Sequence, residues 1–117
     1  MTKEAGASPL RTVHKFGGAS VKDADAIRRI GELLGQHLSS EEQAVVVVSA
    51  MGKTTNALEA ILEAPSHGRE VLWQTLVSGH LAVSTALELG PVCARRIQSV
   101  MEGSWQEFLQ ATDPEMQ

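Results

Sequence analysis

The amino-acid sequence predicts an α/β protein that begins with a parallel strand–helix–strand unit and continues as helices. Residues 44–48 are an apolar segment of strand composition with four consecutive valines, and residues 12–16 are a second short strand, which is indicated by the Gly-Gly pair that ends it. Such an uninterrupted run of β-branched residues is typical of a parallel strand that is buried on both faces. Between the two segments apolar residues recur at helical spacing, so we expect a right-handed crossover helix.

Length and composition are those of one small globular domain. The 117 residues are 43% hydrophobic and 21% charged, and 10 basic against 14 acidic residues give a formal charge of −4. This balance argues against a nucleic-acid partner, and no apolar run approaches the roughly 20 residues of a membrane helix. Cys93 is the only cysteine, which excludes an intrachain disulfide and favours a reducing, cytoplasmic location. Residues 1–11 are expected to form a flexible leader.

The first helix has recognisable start and pairing signals. Asp23 is the candidate N-cap residue, with Ser20 as the alternative. Asp25 and Arg29 are spaced to form an ion pair on the outer face of the helix. Its buried stripe is expected to contain Ile27, Ile30, Leu34 and Leu38.

A second helix is expected over residues 57–64. Thr54 or Thr55 is its candidate cap, because hydroxyl side chains accept hydrogen bonds from the first free amides of a helix. Pro65 and a turn at residues 66–68 are expected to end it.

The last two helices are long and amphipathic. One is expected over residues 70–89 and ends at a Gly-Pro stop at residues 90–91; the other continues to about residue 113. The histidines of the chain have no metal-ligand spacing. On these helices we expect Cys93 to be a small core residue, and His80 to pack in the core or at an interface. Trp105 and Phe108 are expected to pack rather than to form a ligand platform.

The loop after the first strand is suited to binding an anion. Gly17 and Gly18 have no Cβ atom, so the backbone can turn sharply and approach a ligand. Free N–H groups beside a helix N-terminus bind phosphate or carboxylate, and Lys15 adds a positive charge just before the turn. We therefore predict that Lys15 and the amides of Gly17 and Gly18 converge on one anion site.

The loop after the second strand, residues 49–55, contains hydroxyl groups, a glycine and Lys53. Ligands bind at the carboxyl ends of parallel strands, so both loops are expected to face one crevice that suits a phosphorylated ligand. Lys53 is explained equally well as a solvent-facing residue. A P-loop at Gly52 and Lys53 is excluded, because the glycine required five residues before Gly52 is Val47. No GxGxxG motif follows either strand.

Residues 15–21 read Lys-Phe-Gly-Gly-Ala-Ser-Val, and residues 47–56 read Val-Val-Ser-Ala-Met-Gly-Lys-Thr-Thr-Asn. In this order, and each at the end of a strand, the two motifs resemble the N-terminal part of aspartate kinases, which belong to the amino acid kinase family. The resemblance implies the αβα, Rossmann-like sandwich of that family, with residues 12–117 as the N-terminal part of its catalytic domain. The family's catalytic aspartate, adenine pocket and regulatory ACT domains are expected beyond Gln117.

The resemblance also implies roles for individual residues. Lys15 corresponds to the catalytic lysine that neutralises charge on the transferred phosphoryl group. Ser49 and Thr55 correspond to positions that bind the aspartate substrate. No metal ligand is assigned in this chain, and Mg²⁺-ATP is expected to be bound largely by segments that lie outside it. The residues that correspond to the ATP phosphate-binding set are Lys15, Gly17, Gly18 and Ser20.

The implied activity is ATP-dependent phosphorylation of the side-chain carboxylate of L-aspartate, the first step toward lysine, threonine and methionine. Ala19 stands where the family usually has threonine, which removes one hydroxyl contact. The chain by itself is expected to be inactive. The alternatives are a truncated, non-catalytic module that binds an anion or a partner chain, and another family member such as a glutamate 5-kinase. We expect a homo-oligomer or association with the remainder of a longer protein, with residues 70–89 and 92–109 as the contact surface.

Overall fold

The computed structural model describes residues 11–38 and 43–112, and these fall into two compact units that divide between Lys53 and Thr54. The predicted leader lies outside the described residues except for Arg11, which is already the first residue of a strand. The predicted α/β class, with a parallel sheet followed by helices, is confirmed. The elements in chain order are β1 (Arg11–Phe16), α1 (Ala24–His37), β2 (Gln43–Val48), α2 (Thr54–Glu63), α3 (Ser66–Ala86) and α4 (Gly90–Thr112).

In the first unit β1 and β2 pair in parallel. The register runs from Arg11 opposite Gln43 to Phe16 opposite Val48. The pairing continues one step past the strands, because the Ser49 amide donates to the Phe16 carbonyl oxygen at 3.0 Å. The parallel strands therefore end together and start the two loops at the same edge of the sheet.

Helix α1 connects the two strands. Asp23 is its N-cap, as predicted, and its Oδ1 accepts a hydrogen bond from the Ala26 amide at 2.9 Å. The predicted partner of Asp25 was wrong. Arg28 donates to Asp25 Oδ1 at 3.3 Å, one position before the expected Arg29, because residues three apart are also neighbours on a helix surface.

The four valines of β2 are exposed, which contradicts the prediction of a strand buried on both faces. Between 43% and 57% of the surface of Val45, Val46, Val47 and Val48 is accessible. Within the described residues the sheet has two strands, so β2 has one paired edge and no strand on its other side. The composition of the strand is that of a sheet interior, but its surroundings in this chain are those of an edge.

The second unit contains α2, α3 and α4, and its boundaries differ from the predicted ones. Helix α2 begins at Thr54, so the two candidate cap residues are inside its first turn. The predicted turn at residues 66–68 is the first turn of α3, which Pro65 precedes as N-cap. Gly90, with a φ of +87°, begins α4, and Pro91 follows in the first turn, where proline needs no hydrogen-bond partner for its nitrogen. Helix α3 has already ended at Ala86.

The core of this unit is aromatic. Ile61 of α2, Trp73 of α3 and Trp105 of α4 are buried, which brings all three helices to one cluster. The two indole rings stack with centroids 5.4 Å apart, and Trp105 also stacks on Phe108 at 5.5 Å. The packing roles predicted for Trp105 and Phe108 are therefore confirmed. Trp73 Nε1 is buried and has no acceptor among the described residues.

Arg69 connects the three helices at one end of the cluster. Its Nε atom donates to the carbonyl oxygens of Ile61 and Ala64, both at 3.1 Å, and its terminal nitrogen donates to the Leu62 carbonyl at 3.1 Å. These acceptors lie in the last turn of α2 and just beyond it, where carbonyl groups lack the usual helical amides as partners. The Ile61 carbonyl also accepts from the Ala64 amide at 3.3 Å. The guanidinium also lies over the Phe108 ring, 5.6 Å from its centroid.

Neither α3 nor α4, the two longest helices described, has the apolar stretch needed to cross a membrane, and the shorter described helices do not have it either.

Candidate functional site

The loop after β1 is folded into two successive turns. The Gly17 carbonyl accepts a hydrogen bond from the Ser20 amide at 3.0 Å, and the Gly18 carbonyl accepts one from the Val21 amide at 3.3 Å. Within the described ranges the amides of Gly18 and Ala19 have no hydrogen-bond partner. The turns therefore present free N–H donors at the tip of the loop, which is the arrangement that binds an anion.

Lys15 and Ser49 share one face of the sheet. Registered partners in a parallel sheet point to the same face, and residues two apart on a strand do so as well. Lys15 is opposite Val47, and Ser49 is two residues beyond Val47. The hydrogen bond from Arg11 Nε to Gln43 Oε1, at 3.1 Å, connects another registered pair across this face. The lysine ammonium and the serine hydroxyl therefore flank the same end of the sheet.

The two loops touch backbone to backbone. A Cβ atom placed on Gly18 would lie 3.6 Å from the Ala50 carbonyl oxygen and 3.7 Å from that of Gly52. A Cβ atom on Gly52 would lie only 3.1 Å from the Lys22 carbonyl oxygen, and Gly52 has a φ of +47°. The absence of a side chain at Gly52 lets the loops approach this closely, whereas a Cβ atom at Gly18 would make only ordinary van der Waals contact.

Five of the six predicted site residues belong to the first unit: Lys15, Gly17, Gly18, Ser20 and Ser49. Gly18 is half-buried between the loops, and the other four are exposed. Thr55 belongs to the second unit, where it is the second residue of α2 and is exposed. Lys53 is also exposed, which suits either interpretation of that residue.

Two contributions to the loop geometry were not predicted. Ala19 was noted only for its missing hydroxyl, although its free amide is independent of the side chain. Gly52 was expected to belong to the second loop and its motif, but its close approach to the Lys22 backbone was not predicted. A glycine in the short loop between a strand and a helix is the signal that could have indicated a positive φ here.

A metal-binding cluster is not found in the described part of the chain, where no three His, Cys, Asp or Glu side chains are grouped for one ion. The Asp23 carboxylate, which lies next to the first loop in sequence, is occupied as a helix cap. The groups that the loops offer include N–H donors, hydroxyls and ammonium groups, which suit an anion.

The chain belongs to the amino acid kinase family, whose sequence profile matches residues 10–106. Within that family it is similar to the N-terminal portion of aspartokinases. The Mycolicibacterium smegmatis aspartokinase is 50% identical over 46 residues, which are 39% of this chain and 11% of that protein. The Mycobacterium tuberculosis H37Rv aspartokinase gives the same identity and shares. The chloroplastic aspartokinase 2 of Arabidopsis thaliana is 45% identical over 49 residues, which are 42% of this chain and 9% of that protein. The chain thus matches about a tenth of the length of these relatives.

Proposed function

We propose that this chain carries the phosphate-handling part of an aspartate kinase site, in which ATP supplies the phosphoryl group and the L-aspartate side-chain carboxylate accepts it. The observation that supports this most is the contact between the two loops at the carboxyl ends of β1 and β2. This edge of a parallel sheet is where α/β proteins bind ligands. The similarity to aspartokinases supports the choice of substrate.

Lys15 is proposed to neutralise charge on the transferred phosphoryl group. The residue is exposed on the sheet face next to the loops, and none of the described residues forms an ion pair with its ammonium group. A positioned cation stabilises negative charge that spreads over the phosphoryl oxygens in the transition state. The free amides of the first loop fit the phosphates of a nucleotide, and Ser20 offers a hydroxyl beside them.

Ser49 and Thr55 are proposed to bind aspartate. Ser49 has its amide committed to the Phe16 carbonyl, which holds the residue in place and leaves its hydroxyl available. Thr55 is an exposed residue in the first turn of α2. Mg²⁺ has no ligand cluster in the described residues, so we assign it to other segments of a complete site and derive no step that uses it.

The isolated chain is proposed to be catalytically inactive, because about nine tenths of the length of the aspartokinase relatives has no match in it.

A non-catalytic module that binds an anion or a partner chain stays the alternative, and the exposed valines of β2 favour a partner chain. We propose that a second copy or another polypeptide completes the sheet at β2, and that the whole Rossmann-like sandwich forms only then. A reducing, cytoplasmic setting stays the prediction for location.

Binding of inorganic tripolyphosphate, followed by amide chemical shifts, tests the phosphate site directly. We expect the largest shifts at residues 17–20, and a tripolyphosphate Kd that rises about tenfold or more in Lys15→Gln, because a charge-assisted hydrogen bond is lost. Arg29→Gln is the matched control, since Arg29 is an exposed cation of the same unit that has no described partner and lies outside both loops.

Equal weakening by the two substitutions would mean that tripolyphosphate senses only net charge. Shifts centred away from residues 17–20 would also contradict the proposed site.

A further inference from the structure

A second candidate site lies entirely within the second unit, between α3 and α4. It is an open cavity of about 550 Å³, within the size range of small-molecule sites. Its wall is mainly apolar, and Leu89, Val92 and Val100 there are exposed large hydrophobic residues. Cys93, predicted to be a core residue, is half-buried and lines this cavity. Ile97 and Met101 complete the apolar wall.

One positively charged side chain lines the cavity. Arg96 lines it, and among the described residues the guanidinium has neither an ion pair nor a hydrogen bond. No carboxylate is found among the described residues that line the cavity. An arginine presents a planar fork of N–H donors that matches a carboxylate. Arg96 is exposed, so this fork is open to a ligand that enters from solvent.

His80 supplies the other polar group of the wall. Its Nδ1 atom lies 2.9 Å from the Leu76 carbonyl oxygen, and since a carbonyl can only accept, Nδ1 carries the hydrogen in this pair. The hydrogen bond orients the half-buried ring and leaves Nε2 as the nitrogen available to a ligand. The cavity therefore combines an apolar body with a small polar end, which is the usual composition of a ligand site.

We propose that this cavity binds a small carboxylate with an aliphatic or aromatic body, whose carboxylate group pairs with Arg96. A second copy of the chain is a poorer occupant. A two-fold interface would bring the cavity wall against itself, and two arginines would then be buried without a described acid in the patch. The cavity contains none of the residues proposed to bind phosphate or aspartate, so it would be a separate binding site.

Calorimetric titration of the 117-residue chain with octanoate tests the proposal, with octanol as the uncharged ligand of equal chain length. We expect octanoate to bind more tightly than octanol, and Arg96→Gln to weaken octanoate about tenfold or more while it changes octanol little. Arg95→Gln is the matched control, because Arg95 is the preceding residue of α4, is exposed, and does not line the cavity.

A second pair of substitutions tests the location. Val100 and Val71 are equally accessible, at 68% and 69%, but only Val100 lines the cavity. Val100→Glu places a repelling carboxylate at the site and should abolish octanoate binding, whereas Val71→Glu should leave it unchanged. The proposal is overturned if octanoate and octanol bind equally, if neither binds, or if Arg95→Gln and Arg96→Gln have equal effects. An octanoate Kd that rises with protein concentration would assign the cavity to a second copy.

Discussion

Gly52 lies where the second loop of the candidate site approaches the Lys22 backbone most closely. Its replacement by alanine should weaken the packing of the two loops. The backbone φ of +47° lies in the left-handed region, where a side chain costs about 1–2 kcal/mol. The new Cβ atom would also lie 3.1 Å from the Lys22 carbonyl oxygen, a backbone atom that cannot rotate away. Relief of this contact adds about 1 kcal/mol. We therefore expect Gly52→Ala to destabilise the first unit by about 2–3 kcal/mol.

Hydrogen exchange at the Ser49 amide measures this effect. That amide donates to the Phe16 carbonyl at the point where both loops begin, so its protection reports whether the strand ends stay together. A loss of 2–3 kcal/mol corresponds to exchange that is faster by about 30- to 150-fold. The fluorescence of Trp73 and Trp105, both in the second unit, should not change.

Gly35→Ala is the control for this substitution. Gly35 lies in α1, and a Cβ atom there meets nothing within 4 Å. Alanine is favoured over glycine inside a helix by about 0.5–1 kcal/mol, so the control should stabilise the first unit slightly. If Gly52→Ala and Gly35→Ala gave the same Ser49 exchange rate, the loop contact would have no energetic importance and the reasoning would be wrong.

Two further predictions concern activity and assembly. The purified 117-residue chain, incubated with Mg²⁺-ATP and aspartate, should form no aspartyl phosphate that hydroxylamine can trap, and detectable hydroxamate would refute its proposed inactivity. Light scattering should show association that increases with concentration, because within the described residues β2 has an unpaired edge and exposed valines. Val46→Lys should reduce this association, and a monomer at all concentrations would contradict the proposal.

The sequence predicted features correctly where they depend on residues that are close together in the chain. Asp23 was identified as a helix cap because an N-cap needs only a carboxylate next to the first free amides. The two strands and their parallel pairing followed from apolar composition and from the helix between them. The packing of Trp105 was predictable because an apolar stripe at helical spacing indicates a buried face.

Boundaries and pairings were less predictable, since several arrangements satisfy the same local rules. Residues 66–68 contain turn-forming residues, yet they form the first turn of α3, which follows Pro65 and lets Arg69 bind the end of α2. Asp25 had two basic neighbours at helical distance, and side-chain geometry selected Arg28.

The sequence alone determined the family motifs, the order of strands and helices, and which residues could carry charge or free amides in the two loops. Only the tertiary structure decided whether those parts meet. The close approach of Gly18 and Gly52, the face shared by Lys15 and Ser49, and the exposure of the valines all depend on contacts between distant segments. A run of valines indicates a strand that is suited to the interior of a sheet. Whether the strand is buried depends on which strands lie beside it.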